Sequence, residues 1–349
     1  MVMNDDLAKV KSATNHDDME PKTCYEGTRP EYVAQTFFLL YITIATIIGN
    51  SAICCSIYYN QTLHRFSNYL VMSLALSDLM VAFFSLPMRI HQSLHNTHWC
   101  LDETTCVFWI WVDLACRCTC FANLALISLD CFVATRYPLR YHRIITQRRG
   151  HLMILYIWFH GGAIASLGLN NWTNPTIPAF AIDNPSGCRK TPDPTFYTFA
   201  ACVGFFLPLL IITASYSYVF SVSLEHWKST NCRTLPEPVS LVQGGIACRR
   251  FTSTREIRAA KTLAIFISAL ICCWFPFFAI LMALFWCSTC FTRISPFINI
   301  TFIYILPNIS SALNPFIFFI FSQRLRKAFY KLYTRVKRSL ICFIENFRL

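Results

Sequence analysis

Seven apolar runs divide the chain, at 33–59, 67–92, 103–137, 150–169, 195–224, 257–286 and 296–321. A helix rises about 1.5 Å per residue, so about 20 residues cross the hydrocarbon core of a bilayer, and each run reaches that length. Only helices and closed barrels satisfy their own backbone groups in lipid, and a barrel requires short alternating segments, not continuous apolar runs. The pattern therefore predicts an all-α membrane protein, a seven-transmembrane helix bundle. Beyond the last run, SQRLRKAFYKLYTRVKRSL alternates basic and apolar residues at helical spacing. That predicts a short amphipathic eighth helix lying on anionic lipid. Residues 1–31 are polar and carry Asp17, Asp18, Glu20 and Pro21, which predicts a disordered extracellular tail. The bundle is expected over 32–321, with a cytoplasmic amphipathic helix and basic tail over 322–349.

Composition agrees: the chain is 55% hydrophobic and 14% charged, which excludes an ordinary soluble domain. A formal charge of +12 raises the question of nucleic acid, but its distribution points to lipid. Basic residues crowd alternate loops: Arg65; Arg140, Arg143, Arg148 and Arg149; Arg249, Arg250, Arg255, Arg258 and Lys261; and the tail from Arg324 to Arg338. By the positive-inside rule these segments are cytoplasmic and the N-terminus lies outside. The start MVMNDDLAKV lacks the cationic and apolar regions of a cleavable signal, so the first run is expected to act as the anchor.

Most of the 18 cysteines lie inside the apolar runs and read as small hydrophobes. Cys116, Cys118 and Cys120 are two apart and point to different sides of a helix, so no metal site is expected there. Cys24, Cys100, Cys106, Cys188, Cys287 and Cys290 fall outside the membrane, where disulfides persist. Asn171-Trp172-Thr173 is a candidate glycosylation acceptor. The second run is expected to end near Pro87. Pro276 is expected to kink the sixth run, and Pro307 and Pro315 to weaken the last.

Charges within the runs carry the candidate chemistry, because a bare charge in lipid demands a partner. Asp78 sits in the second run; Asp113, Arg117 and Asp130 sit in the third. Asp113 and Arg117 are four apart and share one helical face, so they can touch. No His/Glu metal spacing, Ser-His-Asp arrangement or phosphate-binding glycine loop points to an enzyme, and His160 reads as a satisfied polar residue. No related halves point to a transporter.

Several landmarks stand together: Gly49-Asn50, LALSD ending at Asp78, Trp99 seven before Cys106, SLD at 128–130 followed by YPLRY at 137–141, and Trp158. Further on come Pro208, Tyr216, CWFPFF at 273–278, SSALNP at 310–315 and FSQRLRKAF at 321–329. In this order and spacing the chain resembles a rhodopsin-like G-protein-coupled receptor, closest to the biogenic-amine branch. The resemblance implies a disulfide from Cys106 to Cys188 and a second from Cys287 to Cys290. It implies a small amine-like ligand with Asp113 as counter-ion and Trp274, Phe277 and Phe278 as aromatic walls. Asn308 replaces the tyrosine that holds this aspartate in amine receptors, with Tyr304 as its stand-in. Arg117 departs from the family. Either it neutralises Asp113, or both charges face a ligand bearing a carboxylate as well as an amine, aided by Arg89. Ala200, Ala201 and Gly204 stand where catecholamine receptors present serines, which argues against a catechol. The absence of a lysine between Pro296 and Phe321 excludes a retinal pigment. A peptide receptor is the alternative.

The resemblance also implies a heterotrimeric G protein as partner, met by Pro138 and Leu139, with arrestin as a second. Here too the chain departs. Cys131 replaces the helix-three arginine beside Asp130, so Glu256 loses its ionic partner, and Phe318 replaces the tyrosine that would reach Tyr216. Such changes predict either altered basal activity or a poorly coupling, scavenging relative. Asn50, Asp78, Ser311 and Asn314 match an interior sodium site, whereas Cys120 and Ser310 replace its serine and asparagine. Sodium prefers oxygen, so weaker binding is expected.

Overall fold

In the computed structural model of the protein, the described residues are 29–96, 99–170, 188, 194–232, 265, 268–283, 286–287 and 296–346. Six helices among them are long and apolar enough to cross a bilayer, and the shorter apolar helix Ser268–Ala283 makes a seventh. In chain order they are α1 (Pro30–Tyr58), α2 (Phe66–Leu94), α3 (Glu103–Arg136) and α4 (Gln147–Leu167). α5 runs through Pro194–Ala201, Cys202–Phe206 and Leu207–Cys232; α6 is Ser268–Ala283. α7 runs through Pro296–Ile298, Asn299–Ile305 and Leu306–Phe321, and α8 is Gln323–Asn346. α3 lies at the centre, packed against α2, α4 and α5, while α1 packs against α2, α7 and α8.

Local chemistry explains where the helices start. Asp102 caps α3, its carboxylate accepting the Thr105 amide at 3.0 Å and the Thr105 hydroxyl at 2.5 Å. Those bonds hold the Asp102 carboxyl below the usual carboxylate range. Thr146 caps α4 through the Arg149 amide.

α2 does not end near Pro87 but continues to Leu94, and the reason recurs in three helices. Each has a wider π segment ending two residues before a proline: Val81–Ser85 before Pro87, Cys202–Phe206 before Pro208, and Asn299–Ile305 before Pro307. Proline has no N–H for the carbonyl four residues back, and its ring crowds that carbonyl. The carbonyls concerned, of Phe83, Gly204 and Ile303, all fall inside the π segments. The helix thus absorbs the proline by widening instead of stopping.

Pro315 is handled differently. The Ser311 carbonyl, left without its helical donor, accepts Asn50 Nδ2 from α1 at 3.2 Å. Gly49 allows that approach, because a Cβ there would lie 2.7 Å from the Pro315 ring. Gly161 plays the same part between α4 and α3: an added Cβ would meet Thr119 Oγ1 at 2.2 Å and the Ala115 carbonyl at 2.6 Å. One of those atoms is backbone and cannot step aside. Gly161→Ala is therefore expected to cost about 1–3 kcal/mol, read as a lower thermal midpoint of the purified protein. An unchanged midpoint would refute this packing.

Cys106 and Cys188 are joined, with Cα atoms 5.6 Å apart, and Cys188 packs against the cluster of Trp99, Cys106 and Trp109. Cys100 and Cys287 are disulfide-bonded as well. Cys24, Cys290, Asn171 and Glu256 lie outside the described residues. α8 is longer than the short helix expected, at 24 residues. It buries Leu325 and Ala328 against Ile53, Ile57 and Leu63 while exposing Arg324, Arg326, Lys327 and Lys331.

Candidate ligand-binding site

A cavity of about 320 Å³ opens between α2, α3, α5, α6 and α7, on the side of the bundle that carries the Cys106–Cys188 bridge. Its walls are mostly apolar. Trp274, Phe277 and Phe278 of α6 line it with Phe121 and Phe205, and Tyr197, which the sequence did not mark, joins them. The rings form one stack: Phe121 meets Trp274 edge-on at 4.8 Å, and Phe205 lies parallel to Phe278 at 4.2 Å. Ala200, Ala201 and Gly204 supply the α5 wall, which offers a ligand no hydroxyl at these positions.

One corner is charged. Asp113 Oδ2 accepts Arg117 Nε at 2.9 Å, and Oδ1 lies 2.9 Å from Arg117 Nη2. Arg89, from α2, reaches Oδ2 at 3.2 Å. The Ser85 hydroxyl donates to Oδ1, and Trp109 Nε1 donates to that hydroxyl at 3.3 Å. The two oxygens thus accept three hydrogen bonds, from Ser85, Arg89 and Arg117, and Oδ1 has the further ion-pair contact with Arg117 Nη2. With two guanidinium groups against one carboxylate, the cluster carries one net positive charge.

Each arginine is further supported. Arg117 Nη2 donates to Asn308 Oδ1 at 2.8 Å, and its Cζ lies 5.0 Å from the Trp274 ring centroid. Arg89 sits between Trp109 at 5.3 Å and Tyr304 at 5.7 Å. Asn308 and Tyr304 are accordingly not among the lining residues; they stand behind the arginines. Asn308 is fully buried and donates to the Tyr304 carbonyl. Arg89 Nε is buried without a hydrogen-bond partner among the described residues.

Below this corner lies a smaller cavity of about 20 Å³, lined by Asp78, Cys120, Ser310, Ser311 and Asn314 and also by Arg117. Asp78 Oδ2 accepts Asn314 Nδ2 at 2.8 Å, and the Cys120 thiol points at Oδ1 from 3.5 Å. Ser310 accepts Trp274 Nε1 at 3.1 Å and donates to the Pro307 carbonyl at 2.8 Å. Cys116 and Cys118 pack into two different apolar clusters.

At the opposite end of α3, Asp130 accepts Ser67 and Tyr141, each at 2.6 Å. Burial and the Asp130 bond push the Tyr141 hydroxyl up to about 12. Cys131 packs against the cluster containing Tyr216 and Leu270, whereas Phe318 belongs to a separate one around Ile53 and Ile57. Pro138 and Leu139 are exposed, Leu139 completely. Pro276 lies inside α6.

The bundle of membrane-length helices thus encloses an aromatic cavity with a charged corner, the geometry of a small-ligand site. Residues 49–318 match the 7 transmembrane receptor (rhodopsin family) pattern. The chain is 29% identical to the "Probable G-protein coupled receptor No18" of Amphibalanus amphitrite, covering 86% of this chain and 90% of that one. It is 28% identical to the alpha-1A adrenergic receptor of Oryctolagus cuniculus and 27% identical to dopamine receptor 1 of Drosophila melanogaster. Those matches cover 81% and 85% of this chain, which spans 64% and 61% of the two relatives. The chain belongs to the rhodopsin family of seven-transmembrane receptors. It is a multi-pass plasma-membrane receptor and not an enzyme, and its family implies a ligand and a heterotrimeric G protein as partners.

Proposed function

We propose that this receptor, with its N-terminus outside and its C-terminus cytoplasmic, binds a small zwitterionic, amino-acid-like ligand in the helix bundle. The ligand carboxylate would be recognised by Arg89 and Arg117, and its apolar body would fill the aromatic cavity. The observation that carries this reading is the pairing of Asp113 with two guanidinium groups. Its two oxygens already accept from Arg89, Arg117 and Ser85 and face two guanidinium groups, so an ammonium group would have to compete with both cations for it. The corner instead has cationic charge in excess and a buried Arg89 Nε that lacks an acceptor. A buried donor without a partner costs about 1–3 kcal/mol, which a bound carboxylate would relieve. Guanidinium groups suit that role because their planar fork matches a carboxylate. The ligand amine would lie against Phe277 and Phe278, since the Trp274 face is covered by Arg117.

Signalling would pass to a heterotrimeric G protein, with arrestin as a further cytoplasmic partner. Pro138 and Leu139, exposed beside Asp130, would meet it. Cys131 provides no cation, yet the end of α3 is still tied to α2 and to the following loop through Ser67 and Tyr141. Those ties support a receptor that retains a restrained resting state.

A purely cationic amine is the second reading, favoured by the names of the adrenergic and dopamine relatives. It requires the ligand to displace Arg117 from Asp113. The two readings separate in one assay of G-protein activation in cells, using aromatic amino acids and the amines that lack only the carboxylate. The amino acids are expected to act at lower concentration, and Arg89→Ala to weaken them by roughly 10- to 100-fold. Amines equal to or better than the amino acids, with Arg117→Ala raising their potency, would overturn the zwitterion reading.

A further inference from the structure

The small cavity beside Asp78 matches, by its sequence landmarks, a site that would hold sodium, but with Arg117 among its lining residues it does not fit that ion. Sodium is a hard cation that needs several oxygen ligands. Of the polar groups lining the cavity, Asp78 is already engaged by Asn314 and by the Cys120 thiol, and the Ser310 hydroxyl both donates and accepts within the protein. Asn50 gives its amide N–H groups to the carbonyls of Thr46 and Ser311, and its own oxygen, buried without a hydrogen-bond partner among the described residues, does not line the cavity. Cys120 contributes sulfur where oxygen is needed. A space of about 20 Å³ has room for one water-sized group and no hydration shell.

A cation is nevertheless present. Arg117 lines both this cavity, together with Asp78, and the ligand cavity above it. Its head is fixed by Asp113, Asn308 and the Trp274 face, so the positive charge is held in place and does not diffuse away. In a medium of low dielectric constant, a second cation beside it meets strong repulsion.

We infer that Arg117 is a built-in cation that stands in for sodium in the interior of this receptor and closes the Asp78 cavity to the free ion. One side chain then serves the ligand corner and the interior carboxylate together. This inference concerns an ion and not the ligand class, so it stands or falls separately from the zwitterion reading.

The test uses the purified full-length receptor without ligand. Its thermal midpoint is measured in sodium chloride and in N-methyl-D-glucamine chloride at equal ionic strength. Wild type is expected to show no difference. Arg117→Met removes the cation while Arg89 continues to pair with Asp113, and it is expected to gain a sodium-specific upward shift of roughly 2–4 °C. Adding Asp78→Asn to Arg117→Met should abolish the gain. Sodium-specific stabilisation of wild type overturns the inference on its own, whether or not the variant folds. So does an Arg117→Met receptor that folds and remains indifferent to sodium.

Discussion

Asp113→Asn is expected to destabilise this receptor by about 3–5 kcal/mol, the cost of breaking a buried ion pair from one side. The substitution removes the only carboxylate paired, among the described residues, with Arg89 and Arg117, whose side chains are 16% and 10% exposed. It leaves two cations in a low-dielectric site, and the Ser85 hydroxyl without its charged acceptor. An aspartate held ready for a ligand would behave in the opposite way. Its loss would abolish binding and leave the unliganded protein as stable as before. The measurement is the thermal midpoint of the ligand-free receptor. An unchanged midpoint for Asp113→Asn would sink the paired-cluster description. A triple variant, Asp113→Asn with Arg89→Met and Arg117→Met, should recover most of the loss, since well-packed apolar side chains often replace buried ion pairs without cost.

The second large effect is expected from Cys106→Ser. The bridge from Cys106 to Cys188 spans 82 residues of chain. Loop-closure entropy for a loop of that size corresponds to ~4.5 kcal/mol in a freely unfolding chain. Two helices of the enclosed segment remain confined by lipid even when the tertiary structure is lost, so the unfolded chain gains less freedom and the cost falls below that figure. Ligand affinity should fall with stability, because Cys188 is itself part of the cavity wall. Cys106→Ser receptor that melts with wild type, and a wild type indifferent to reducing agent, would refute the role of the bridge.

The difference between these two cases shows what a sequence can carry. The membrane spans were legible because lipid leaves the backbone no alternative to internal hydrogen bonding, and composition over 20 residues records that constraint. The Asp113–Arg117 pair was legible for a similar reason: four residues on a helix is a local distance. Its outcome was not, because the competing partners come from elsewhere in the chain. Arg89 and Ser85 approach from α2, and Asn308 from α7, 191 residues away from Arg117. The hydroxyl ties of Asp130 escaped for the same reason, Ser67 being 63 residues distant. The continuation of α2 past Pro87 was hidden differently. Proline signals a missing hydrogen bond, but whether the helix stops or widens depends on what it packs against.

That widening has a consequence for the ligand corner. A π segment accommodates one residue more than an α-helical turn, and one residue corresponds to about 100° of rotation around the axis. Everything beyond Val81–Ser85 on α2 is therefore turned relative to an unbroken helix, and Arg89 is among those residues. In evolutionary terms the corner is one deletion away from a different specificity. A chain shortened by a single residue within 81–85 would wind as a regular helix and carry Arg89 away from Asp113. The carboxylate would keep Arg117 alone, and the excess positive charge of the cavity would vanish without any change to its lining from α3, α5, α6 or α7.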